Sequence, residues 1–132
     1  MKKHSAGAVI YAKSFKRVAE FYEHVVGMSV YQNTDTFIAL EAGSFQLVVL
    51  QIPERLAKNV AVESPPVVRE NAAIKPIFYV RSLAEARELA PKFGGALNGA
   101  RREWSFEDAI ACDGSDPEGN VYQLRERNRE NG

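Results

Sequence analysis

The sequence predicts an α+β fold of two βαβββ modules, and three observations point to it. First, the phrase Ala8-Val9-Ile10-Tyr11-Ala12-Lys13-Ser14-Phe15 is answered by Pro76-Ile77-Phe78-Tyr79-Val80-Arg81-Ser82-Leu83. Each copy is an apolar stretch, a basic residue, a Ser and an amphipathic segment closed by Gly, and such self-similarity marks one supersecondary unit used twice. Second, three strand-like runs separated by turn residues follow each amphipathic segment. Third, 132 residues with 45% hydrophobic and 26% charged side chains suit one compact unit with a real core. Two copies facing each other enclose a space, and function lies in what lines it.

In the first half, Ala8 to Ala12 is an apolar run of strand length. Ser14 is placed to cap a helix reaching Val26, with Val18, Phe21, Tyr22 and Val25 on one face and Gly27 closing it. Strands are expected at Met28 to Gln32, Thr36 to Glu41 and Ser44 to Gln51. In the second half, Lys75 to Val80 reads as a strand, and Ser82-Leu83-Ala84-Glu85 has the pattern of a capping box. A helix to Phe93 follows, ended by Gly94-Gly95, with strands at Ala96 to Arg101, Glu107 to Cys112 and Asn120 to Arg125. The whole chain reads as a single domain: module one at about 6–52, a connection at 53–73 with a short helix near Glu54 to Lys58, module two at about 74–126, and a frayed tail at 127–132.

Charge excludes some partners. The 17 basic and 17 acidic side chains balance, which argues against an electrostatic nucleic-acid or membrane binder. A lone Cys112 allows no intramolecular disulfide and suits a reducing compartment. No signal-like or membrane-spanning run is present in this sequence, so a cytoplasmic protein is expected.

Phe21-Tyr22, Val26-Gly27-Met28, the repeat and the closing Asp116-Pro117-Glu118-Gly119-Asn120-Val121-Tyr122-Gln123-Leu124 resemble the vicinal oxygen chelate superfamily, which includes glyoxalases, bleomycin-resistance proteins and extradiol dioxygenases. The resemblance runs from about Gly7 to Glu126 and implies paired βαβββ modules whose curved mixed sheets surround a cleft, in a homodimer. It also implies metal-ligand slots, which fall here on Gly7, Lys75, Gln123 and Leu47, the last with a register of one residue either way left open. Gly7 and Leu47 offer no donor atom, Lys75 is a cation, and only Gln123 carries a neutral oxygen. His4 and His24 are expected to be solvated. The expectation is therefore no metal and no cofactor, as in the metal-free bleomycin-resistance-like members.

Alternation from those slots points Tyr11, Phe45, Leu47, Lys75, Tyr79, Gln123 and Arg125 inward, an apolar lining with a few polar heads. They either bind a small, largely apolar or aromatic molecule or fill the cleft as core. Trp104, read in a loop, either stacks on a planar ligand or anchors a seam. Lys75 either binds an anion, pairs with Glu103 or Glu107, or acts as a base. Cys112 reads as a small core residue. The set favours binding over catalysis, with no catalytic residue named. The alternatives are a divergent metal-dependent or Lys-based lyase, isomerase or dioxygenase, and a structural or regulatory dimer with a filled cleft.

Overall fold

The computed structural model describes residues 3–57 and 66–129. The first sheet comprises β1 (Ala6–Ala12), β2 (Ser29–Asn33), β3 (Phe37–Ala42) and β4 (Phe45–Gln51), in the order β1-β4-β3-β2. Helix α1 (Phe15–Phe21) continues into a π-helical turn, Tyr22–Val26. That wider turn lets Tyr22, Val25 and Val26 all face the core before Gly27 ends it at φ 86°. A one-turn helix α2 (Glu54–Ala57) opens the connection, and the remainder of the helix expected there, at Lys58, lies outside the described residues.

The second sheet repeats the plan. It comprises β5 (Ile77–Tyr79), β6 (Ala96–Leu97), β7 (Trp104–Phe106), β8 (Ala109–Ser115) and β9 (Val121–Arg127), in the order β5-β9-β8-β6, with β7 also paired to β8. Helix α3 (Leu83–Leu89) is extended by a 3-10 turn, Ala90–Phe93. In each sheet the first strand lies parallel to the last and the remaining pairs are antiparallel. The expected mixed, mostly antiparallel α+β architecture is what the chain adopts.

Three local expectations are corrected. Trp104 is in a strand rather than a loop. β6 and β7 are two pieces of one edge, interrupted by the 3-10 turn Ala100–Arg102, and Glu107, at φ 52°, turns the chain into β8. The end of the chain is ordered further than the charge pattern suggests: Arg127 belongs to β9, and the Asn128 N–H donates to the Asp108 carbonyl at 2.7 Å. Residues 130–132 lie outside the described residues. Ser14 makes no side-chain cap. The Glu118 carboxylate accepts from the backbone N–H of Lys13 (2.9 Å) and Ser14 (2.6 Å) instead. Ser82 does cap α3, accepting from the Glu85 N–H at 3.1 Å, and the Glu126 carboxylate accepts from the Leu83 N–H at 2.7 Å.

One core serves both halves. Phe21, Tyr22, Tyr122, Phe78 and Phe45 pack ring to ring, with Phe45 meeting Phe78 edge-on at 5.5 Å and Tyr22 meeting Phe78 at 5.8 Å. Because Phe45 comes from the first sheet and Phe78 from the second, the helix-side faces of the two sheets share this core. Offset and edge-on rings of this kind add stabilisation beyond their buried area. No helix among the described residues is long and apolar enough to cross a membrane.

Candidate functional site: the open faces of the two sheets

With one face of each sheet under the helices, side-chain alternation leaves the other face open. In the first sheet the parallel register Gly7↔Gln46, Val9↔Val48, Tyr11↔Leu50 sets the open face. Tyr11 is 62% exposed. Leu47, in contrast, is fully buried, and Phe45 packs against the core. The expectation that Phe45 and Leu47 point into the cleft is thus corrected. The turn after Ala42 pairs Phe45 directly with Ala42, which sets β4 one residue away from the assumed register. A one-residue slip sends every side chain of a strand to the opposite face. The open-face residue beside Val9 is Val48, which offers no ligand atom either.

His4 is not solvated as expected. Its Nε2 lies 2.8 Å from a Glu41 oxygen, and its ring lies 5.3 Å from that of Tyr31. The Gln46 amide donates to the Tyr31 hydroxyl at 2.5 Å. Sequence reasoning missed this row, whose available signal was the period-2 pattern read in the correct register. His24 is exposed, stacked on Phe93 at 4.8 Å, and belongs to neither open face.

The second sheet carries the denser arrangement. Across it runs the row Trp104↔Ala111↔Arg125↔Tyr79, flanked by the rows Phe106↔Ala109↔Arg127 and Asp113↔Gln123↔Ile77. Tyr79, Trp104 and Phe106 are 45%, 39% and 42% exposed. A polar chain ties the face together. Lys75 donates to Asp113 at 2.7 Å, and the Gln123 amide donates to the other Asp113 oxygen at 3.2 Å. Arg125 Nε donates to the Gln123 oxygen at 2.8 Å, and its Nη1 lies 3.4 Å from the Tyr79 hydroxyl. The Arg125 guanidinium lies 4.3 Å over the Phe106 ring, and that of Arg127 lies 4.1 Å over Tyr79. The partner of Lys75 is therefore Asp113, whereas Glu103 binds Arg87. Cys112 points to the core, where burial pushes its thiol pKa up, partly countered by Arg87.

These residues do not suit the metal that the resemblance implies for other members. Gly7 and Val48 carry no donor atom, Lys75 is a cation already in an ion pair, and the Gln123 oxygen is committed to Arg125. Four to six ligand atoms are needed. Among the described residues no group of three or more His, Cys, Asp or Glu side chains is placed to hold an ion. Of the four slots expected at one cleft floor, Leu47 is in the core instead; Gly7 lies on the first sheet and Gln123 on the second, with Lys75 paired beside it through Asp113.

The closing turn has a different role from the face it precedes. Asp116 is fully buried and accepts from the Tyr22 hydroxyl (2.9 Å), the Glu118 and Asn120 N–H groups (2.9 and 3.0 Å) and the Asn120 amide. Burial pushes its pKa up, and these donors oppose that shift. Burial, and then Asp116 itself, raise the Tyr22 pKa well above the usual phenol value. With Glu118 on the start of α1, the turn joins the second half to the first.

No protein-family model and no curated protein matches the chain. Solved structures do. One is a glyoxalase/bleomycin resistance protein/dioxygenase family enzyme from Burkholderia phytofirmans, 17% identical, with a TM-score of 0.64 over 92% of this chain and 96% of that one. A bleomycin resistance determinant encoded on the transposon Tn5 is 15% identical, with a TM-score of 0.59 over 95% and 98%. Lactoylglutathione lyase from Agrobacterium tumefaciens is 16% identical, with a TM-score of 0.55 over 92% and 91%. At such identities the likeness is one of fold, and in fold the resemblance read from the sequence is borne out.

Proposed function

We propose that this chain, which has the fold of the glyoxalase/bleomycin-resistance structures, binds a small, largely apolar or aromatic molecule without a metal ion and acts as a homodimer. The observation that carries the reading is the open face of the second sheet, where Tyr79, Trp104 and Phe106 stand exposed around a fixed polar chain. Exposed aromatics grouped with a few oriented polar groups are the chemistry of a small-molecule site. The occupants of the metal slots support binding over metal-assisted catalysis, because Gly7, Leu47 and Val48 offer no ligand atom, Lys75 no lone pair, and the Gln123 oxygen accepts from Arg125.

Two tests apply. Protein purified without chelator carries no stoichiometric zinc, nickel or iron by elemental analysis, and planar aromatic compounds raise its thermal midpoint, as ligands of the folded state do. Stoichiometric metal whose content changes in Lys75→Met would replace this reading with the enzymatic one. The second test concerns assembly. Val9 and Tyr11 on the first sheet are large apolar side chains left open by a single chain, and a second copy covers such a surface most simply. Light scattering at micromolar concentration gives twice the chain mass; a monomer under those conditions rules the dimer out.

A further inference from the structure

The proposed ligand site carries a charge preference, and the inference rests on the reading of the second sheet as that site. Lys75 and Asp113 neutralise each other, so neither sets the charge of the face. Arg125 and Arg127 do. They are two positions apart on β9 and so project from the same side. Each guanidinium lies over an aromatic ring, Phe106 or Tyr79. Each guanidinium carries its N–H donors along the edges of a planar fork.

Those edges are only partly used. Arg125 Nε and Nη1 are directed to Gln123 and Tyr79, which fixes the orientation of the fork and leaves Nη2 available. Among the described residues no carboxylate forms an ion pair with Arg125 or Arg127, although Glu107 and Asp108 stand at the adjacent hairpin tip. Glu126, between the two arginines in sequence, binds the start of α3 on the opposite face. The face thus presents two oriented cations with no counter-charge, beside Trp104 in the same cross-strand row as Arg125.

We infer that this site selects a planar aromatic carboxylate, its carboxylate on Arg125 and Arg127 and its ring against Trp104. A carboxylate suits the planar forks, and charge-assisted bonds of this kind are about twice as strong as neutral ones. A neutral or cationic ligand of the same shape gains none of them, and a cation is repelled.

Trp104 is the single tryptophan, so its fluorescence reports binding directly. The probes are 2-naphthoate, 2-naphthamide and 2-naphthylmethylamine, titrated into the full chain. Naphthoate quenches Trp104 and binds about tenfold or more tighter than the amide, with the amine weakest. Arg125→Gln and Arg127→Gln each remove most of the preference for naphthoate over the amide. Arg81→Gln, which removes an exposed cation away from this face, keeps the preference. Far-UV circular dichroism confirms that each variant is folded. Equal binding of all three probes, or a preference that survives both arginine substitutions, overturns the charge assignment and leaves the reading of this face as a ligand site standing. Absence of quenching by any probe overturns both.

Discussion

Asp116→Ala lowers stability by about 4 kcal/mol, the largest effect expected of any single polar substitution in the chain. The side chain is fully buried and accepts from the Tyr22 hydroxyl and from the N–H groups of Glu118 and Asn120. Alanine leaves those donors without an acceptor, and each orphaned buried group costs about 1–3 kcal/mol. It also releases the turn that holds Glu118 against the start of α1. Tyr22→Phe removes one of the bonds and leaves the Asn120 contacts intact, so its cost is about 1 kcal/mol. Urea unfolding of the two variants measures both values. Equal, small shifts in midpoint would show that Asp116 is not the centre of the junction.

Leu47→Ala costs about 2–5 kcal/mol, as for a leucine in a packed core, whereas Val48→Ala costs less than about 1 kcal/mol. The two residues are neighbours on β4, but Leu47 is fully buried and Val48 shares the open face with Val9. Thermal or urea unfolding of the pair reads the strand register directly. The opposite ranking would restore Leu47 to the cleft and put Val48 beneath the helices.

That pair also marks where the sequence is legible and where it is not. The repeat is legible because both copies carry local signals: Ser82 does cap α3, and Gly27 and Gly94 do end their helices at positive φ. The register of β4 is not, because Ala42-Gly43-Ser44 permits strands starting at either Ser44 or Phe45, and only pairing across the sheet decides. The strand at Trp104–Phe106 is short and set off by the turn at Glu107, so its three residues are outweighed locally by the polar residues around them. The partners of His4 and Ser14 come from distant segments, Glu41 in one case and Glu118 displacing the expected cap in the other. On the second sheet, Lys75, Tyr79, Trp104, Gln123 and Arg125 were all legible from alternation or residue type. Arg127 was not, because its alternating-sign surroundings resemble a loose terminus.

The contact between Glu118 and the start of α1 has a kinetic consequence. Its partners are separated by 105 residues in the chain. During synthesis the first helix emerges long before the carboxylate at its start, so the first half remains without these bonds until Glu118 has emerged. Contacts of such long sequence separation form late and slow folding. A nascent chain stopped short of Glu118 therefore holds an apolar α1 face and an unsealed core. Exposed apolar surface of that kind favours aggregation, so a chain truncated before Glu118 is expected in the insoluble fraction.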